Sequence, residues 1–599
     1  MGRQIFVVVI LTALTTVLLT VAACNRTSEG DEEQFHIALV GPISGKSASA
    51  GKSHLQGIQL YIDNINQSGG IRGKKIQLDI FDDQNNKKKA KEMALEVVMQ
   101  GRALAVIGHN YSSSSINAGI IYKEYQIPAV SPSSTDVKVT LENEWYFRTV
   151  LNNNLQGRFL ANYVHKLLKQ DRVIIVSEDL TYGACLAGIF LMTSKELGME
   201  ITDKYQFKVK DPNLEGALQQ VVDDIKSKQN TDPIFLATHA TEGVKFIKLM
   251  KDAGIKNPVI APNAFATQSF QKGFENSPKE KALPGYYTDG IYVTTPLIFD
   301  TANEKAQEFR EAYRARYNEE PDWHAAYSYD TAMLICTALK NSAIRGNPDS
   351  IREDRRMIKE YLSGLSSIHQ AVEGVTGFNF FDTNGDASKA VPIGIYKNGN
   401  IISSHTQLQT MRPLGQDALE KAIKDERVLH IDGKYMYKTN VVYTGIDVND
   451  ISDIDMKKLT YTLDFNIWFR TTGDIGPQRI KFLNAVEPIT LDTPINKKID
   501  GQMHYTNYHV KGRFKADYLS GRYTFGQHVL GISFLHQDMP RNNLIFVTDV
   551  LGMGLTNGES ITERLKQRQV LHHAHGWSIN QVKFYQDTIE KGCGSLATT

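Results

Sequence analysis

From residue 36 onward the chain alternates short apolar runs with amphipathic helical patterns, and few folds accommodate that alternation. Strand-like runs fall at 36–40, 76–81, 104–107, 127–130, 172–176, 205–209, 234–237 and 259–261, with helical patterns such as 53–66, 87–99 and 242–253 between them. The spacing predicts a doubly wound parallel sheet, present in two copies.

Within it, residues 104–135 read as strand, serine-rich turn, helix, strand and a second hydroxyl-rich turn. Ser112 to Ser115 follow the first strand; Ser133, Ser134 and Thr135 follow the second. Two parallel strands thus deliver hydroxyls and free backbone N–H groups to one sheet edge, where ligands of open α/β sheets bind and where a helix N-terminus favours an anion. The same serines also suit helix N-caps, a role that binding does not exclude.

A length of 599 residues predicts two or three domains. With 67 basic and 66 acidic residues, the chain has no electrostatic footprint for nucleic acid. Residues 5–23 are apolar apart from four threonines and end Val21-Ala22-Ala23-Cys24. That is an export signal, and its end resembles a bacterial lipobox, which would make Cys24 a lipid-attachment residue; the alternative is an uncleaved membrane anchor. Either way the remainder lies outside the cytoplasm, with residues 25–34 as a tether. Cys185 and Cys336 fall in apolar helical patterns, Cys593 lies near the end, and no disulfide framework follows.

Three motifs are decoys. Gly45 to Ser53 looks like a phosphate loop, but five residues separate its glycines where the nucleotide motif needs four. Asp382 to Asp386 resembles the start of a calcium loop, with glycine at the fourth position instead of the sixth. His572, His573 and His575 read as a solvated turn, not a metal site. No cofactor or metal is expected, and no Ser/His/Asp spacing supports an enzyme.

Several segments resemble type I periplasmic binding proteins of the branched-chain amino acid-binding family. These are GPISG (41–45), IDNINQSGGIRGKKIQL (62–78), DDQ (82–84), VIGHNYSSSS, IPAVSPSST, Phe147-Arg148, Thr181-Tyr182-Gly183 and TGFNFFDTNGD (376–386). The resemblance implies a two-lobed α/β module over 35–406. Lobe 1 would comprise 35–149 and 295–373, lobe 2 would comprise 150–294 and 374–406, with crossings near Val150, Thr294 and Gly374. A small ligand would bind between the lobes. By position, Ser112, Ser133 and Thr135 match the binders of an α-carboxylate, and Tyr182 matches an aromatic on the second lobe. His239 and Asn263 stand where amino acid binders carry a tyrosine and an acid for the ammonium, and Ala50 replaces an aromatic at the cleft mouth. Those three positions depart from the family pattern.

Residues 407–427 suggest a helical linker, and beyond it the periodicity changes to two. Residues 461–470 and 508–514 alternate strictly, and 525–534 and 544–547 are strand-like, as in a mainly antiparallel β-sandwich over 428–599. GIDVNDISDID (445–455), TLDFNIWFR (462–470), YTFGQ (523–527), LIFVTD (544–549) and HGWSINQVKFYQDT (575–588) resemble the extracellular ligand-binding domain of bacterial pentameric ligand-gated ion channels. The chain ends before the last strands such a sandwich would have, so a fragment of a longer receptor and a sandwich serving without a pore are both expected forms.

Two functions follow from these resemblances. One is the ectodomain of a channel-like receptor, in which binding of a carboxylate-bearing ligand is coupled to the sandwich and the chain assembles as a homo-pentamer. The other is a membrane-tethered solute-binding lipoprotein that serves the permease of an ABC importer.

Overall fold

The computed structural model describes residues 34–410, 416–431, 433–516, 528–539, 543–555, 560–572, 574 and 576–586. Cys24, Cys593, His573, His575 and the 523–527 loop lie outside the described residues.

The first lobe is built on β1 (Phe35–Gly41), β2 (Ile76–Asp82), β3 (Ala103–Gly108), β4 (Ala129–Ser131) and β5 (Tyr146–Arg148), all parallel in the order β2-β1-β3-β4-β5. Strands β1 and β3 are buried along almost their whole length, which explains their continuous apolar runs. The second lobe carries β6 (Arg172–Glu178), β7 (Glu200–Phe207), β8 (Ile234–Ala237), β9 (Val259–Ala261) and β10 (Tyr292–Thr294). An antiparallel hairpin, β11 (Val372–Gly374) and β12 (Gly377–Asn379), precedes the return to this sheet. Strands β13 (Ile393–Lys397) and β14 (Asn400–Ser403) then complete the order β14-β13-β10-β9-β8-β6-β7. Strand order reverses between β1 and β3 in one sheet and between β6 and β8 in the other, and those are the points where such sheets bind ligands.

The third crossing comes later than Gly374. Phe381 and Ala387 pack in the first-lobe core, and Val391 is the next residue in the second-lobe core. The chain therefore passes between lobes at 388–390. The reason is Arg148: its buried guanidinium holds Asp386 Oδ1 through Nε at 2.7 Å and Nη2 at 2.6 Å, pinning the 382–386 turn to the first lobe. The carboxylate of the calcium-like turn is thus taken up by an arginine.

The β-module begins earlier than the linker expectation. Thr406–Thr410 is a strand, β15, followed by a helix at Gln416–Lys424 and then β16 (Val428–Ile431). β17 (Lys434–Asp455), β18 (Thr460–Thr472), β20 (Asn496–Asp500), β21 (Met503–Lys515) and β23 (Leu544–Thr548) complete one large sheet. Strands β19 (Ile480–Phe482) and β22 (Phe534–His536) form the opposing layer, and Phe482 and Ile480 pack against Phe465, Ile467 and Phe514 of the sheet. Residues 528–533 do not extend a strand as their sequence suggested; the strand starts at Phe534. The sheet's alternation has a plain physical meaning: along β18, residues 461, 463, 465, 467 and 469 are buried and the intervening ones are half-exposed.

The module is not a separate body. Leu408, Ile431 and Met436 sit in the second-lobe core, and Ile402 of β14 packs with Val441, Tyr443, Ile545 and Val547.

Candidate functional site

The DDQ segment organises the first-lobe edge. Asp82 accepts the N–H groups of Ile43 and Ser44 at 3.0 and 3.2 Å, closing the GPISG turn. Asp83, fully buried, lies 2.6 Å from His109 Nδ1, and Tyr122 Oη lies 2.9 Å from Nε2. The His109 carbonyl then accepts the hydroxyls of Ser131 and Ser134 at 3.0 and 3.1 Å, so the loops after β3 and β4 are bound into one ledge.

Ser112, Ser133 and Thr135 stand on that ledge, all buried. Ser112 Oγ accepts the N–H groups of Thr135 and Asp136 at 3.2 and 3.1 Å, which leaves its own proton to donate. Ser133 Oγ donates to the Asn110 carbonyl at 3.1 Å and so fixes the loop. The Thr135 carbonyl accepts Asn153 N–H at 2.6 Å, where the chain enters the second lobe.

The second-lobe edge faces it. Tyr182 opens the helix Thr181–Glu196 and donates its hydroxyl to Asn263 Oδ1 at 2.8 Å. His239, just beyond β8, has ring centroids 4.7 Å from Tyr182 and 4.2 Å from Tyr111, the residue preceding Ser112. Beneath it Glu178, with no exposed surface, accepts His239 N–H at 2.9 Å and Thr238 Oγ1 at 2.7 Å, and its other oxygen lies 2.5 Å from His239 Nδ1. Burial works against both charges. The Glu178 charge and hydrogen bond nevertheless raise the pKa of His239, while His239 holds Glu178 below the usual carboxylate range. A Cβ on Gly183 would meet Glu178 Cγ at 2.4 Å and the Ala237 carbonyl at 2.5 Å, so the Tyr-Gly pair owes its glycine to this close approach.

A line of rings joins the two edges. Trp323 Nε1 donates to the Asn263 carbonyl at 3.2 Å, and its ring lies 3.9 Å from His324, itself 4.8 Å from His54. His54 reaches Asn110 Oδ1 at 3.0 Å and Ser328 Oγ at 2.6 Å. Burial, with the His324 charge adding to it, lowers the His54 pKa to about 3, so this imidazole is neutral.

The structure thus brings all six predicted cleft residues to the facing edges of the two lobes. Sequence reasoning missed Tyr111, Glu178, Trp323 and Gln156. Gln156 Oε1 accepts the Asn263 N–H at 2.8 Å, while its Nε2 is buried without a partner among the described residues. Glu178 carried a signal, as the last residue of a strand at the edge where ligands bind; the others are set by contacts distant in sequence. Among the described residues, no group of three or more His, Cys, Asp or Glu is placed to hold a metal ion, and no helix is long and apolar enough to cross a membrane.

Residues 34–400 match the family model described as "Periplasmic binding protein". An amino acid binding protein of Pseudomonas aeruginosa is 35% identical over 165 residues, covering 27% of this chain and 44% of that protein, so the match spans less than half of its length. A Leu/Ile/Val-binding protein of Escherichia coli is 28% identical over 271 residues, covering 45% of this chain and 69% of that one. Among solved structures, a branched-chain amino acid transporter substrate binding protein of Streptococcus pneumoniae in complex with isoleucine is 25% identical, with a TM-score of 0.53, covering 62% of this chain and 98% of that one. An ABC transporter substrate-binding protein of Desulfitobacterium hafniense in complex with Leu is 26% identical, with a TM-score of 0.51, covering 62% and 100%.

Proposed function

The chain belongs to the periplasmic binding protein family, and from that premise we propose that it binds a small carboxylate-bearing solute, an amino acid or a close relative, between its two lobes and delivers it to an ABC-type permease. The observation that carries this reading is the meeting of two switch-point edges: a ledge bearing Ser112 and Thr135 faces the Tyr182, His239 and Asn263 edge. Ser112 supplies the hydroxyl donor and Thr135 a second hydroxyl for a carboxylate; His239, whose pKa the adjacent Glu178 raises against its burial, offers no negative charge to an ammonium. The names of the relatives, which include amino acid and Leu/Ile/Val binders, support the same solute class. The family implies export to the periplasm. Cys24 is the residue proposed to carry a lipid tether, and the chain reads as a binding protein, not an enzyme.

Titration calorimetry of the mature chain with L-leucine, L-isoleucine, L-glutamate and 4-methylpentanoate tests the reading. Saturable binding of at least one is expected; no heat with any of them overturns it.

A second reading is that the β-module receives the closure signal as part of a receptor. Its support is the core shared by the second lobe and the module through Leu408, Ile431 and Met436. A mass in solution five times that of the chain would favour that reading, and a monomer with and without solute would count against it.

A further inference from the structure

The β-module is built into one lobe by its body and reaches the other by its C-terminal segment. We propose that residues 581–586 are a closure latch: they hold the first lobe against the second and let go when the cleft opens. The proposal rests on the reading of the cleft as a site between lobes that part.

The body of the module cannot leave the second lobe cheaply. Tyr443 Oη donates to the Ser403 carbonyl at 2.5 Å, and Tyr163 Oη donates to the Thr406 carbonyl at 3.1 Å. Gln407 pairs both ways with the backbone of Ile393, at 3.0 and 2.7 Å, beside the shared apolar core. Separating the two would expose that core.

The segment 581–586 is held to the same module, since Val582 N–H donates to Thr562 Oγ1 at 2.9 Å and Gln586 Nε2 donates to the Phe546 carbonyl at 2.5 Å. Its other contacts fall on the helix Glu304–Tyr317, whose Glu304, Glu308 and Glu311 share one face at spacings of four and three residues. Lys583, largely buried, lies 2.8 Å from Glu308 and 3.9 Å from Glu304. Gln581 contacts Glu311, and Gln586 N–H donates to the Ala302 carbonyl at 3.1 Å.

That helix belongs to the first lobe. Tyr313 Oη donates to Gln56 Oε1 at 2.6 Å, Tyr317 Oη donates to the Gln56 carbonyl at 3.1 Å, and Phe309 and Tyr313 pack in one cluster with Leu60. Opening about the three crossings, near Val150, after Thr294 and at 388–390, would carry the acidic face away from a segment anchored to the opposite lobe. The polar contacts at Lys583 are the weaker link, so the latch yields before the core does. The latch therefore biases the protein toward closure without any solute.

Hydrogen exchange on the full mature chain without solute tests this, and so does not depend on which carboxylate binds. In Lys583→Glu, peptides covering 109–116 and 178–183 are expected to exchange about threefold faster than in the wild type. In the charge-swapped pair Lys583→Glu with Glu308→Lys, exchange is expected to return to the wild-type rate. Wild-type exchange in the single variant overturns the latch; so does a double variant as fast as the single one, since the effect would then not run through this pairing. Failure of every solute to bind would remove the functional reading while the exchange result still decided the latch.

Discussion

The ring of Tyr111, carried by the first lobe, lies 4.2 Å from the imidazole of His239, carried by the second, with centroids as the reference points. Each ring stands directly beside a switch-point edge, so the two lobes touch at the place where each would hold a ligand. The structure is closed at this contact, and the hydroxyl-bearing ledge begins one residue further on at Ser112.

Ser112→Ala and Thr135→Ala are each expected to weaken solute binding by about 1–2 kcal/mol, because each strips a partner from a buried anion. Ser112→Ala should have the larger effect, since it also frees the Thr135 and Asp136 N–H groups from their common acceptor. Calorimetry on whichever solute binds the wild type measures both.

The Glu178–His239 pair predicts a bounded pH range. His239 has a folded-state pKa above its ordinary 6.5, so its contribution to stability is complete below that value and is lost as pH rises through the folded one. Glu178 is held below its ordinary 4.5, so its contribution is present above that value and is lost as pH falls through the folded one. The difference in thermal stability between the wild type and the Glu178→Gln/His239→Gln double variant should be constant between these limits and should shrink outside them.

Asp386→Asn is expected to destabilise the first lobe by about 3–5 kcal/mol, because Arg148 is fully buried and would keep an uncompensated charge. Urea denaturation measures the loss.

Asp300 should act in the opposite sense to an ordinary paired carboxylate. Burial raises its pKa to about 6 despite two hydrogen bonds from Ser403, at 2.7 and 2.6 Å. The folded state then binds the proton more tightly than the unfolded chain, so stability falls as pH rises from about 4 to about 6, by roughly 3 kcal/mol in total. Asp300→Asn should remove that slope, as urea denaturation at both ends of the range would show.

The local burial pattern was legible in the sequence. The continuous apolar runs of β1 and β3 and the strict alternation of β18 state how many faces of each strand are covered, and hydroxyls after β3 and β4 mark the sheet edge. The alternation therefore determined the α/β class, the change to a β-module and the placement of Ser112, Ser133 and Thr135. Sequence position misled at the third crossing, because what keeps residues 382–386 in the first lobe is Arg148, well over two hundred residues earlier. It also missed β15, a short strand whose burial depends on pairing with β17.

Only the tertiary structure decided that Glu178 lies beneath His239, that Tyr111 closes on it, and that Lys583 reaches the Glu304–Glu308 face. Each of these joins residues whose own surroundings say nothing of the partner. Periodicity records which side of an element is buried, whereas the identity of what buries it is fixed by strand order and by the packing of the lobes and the β-module.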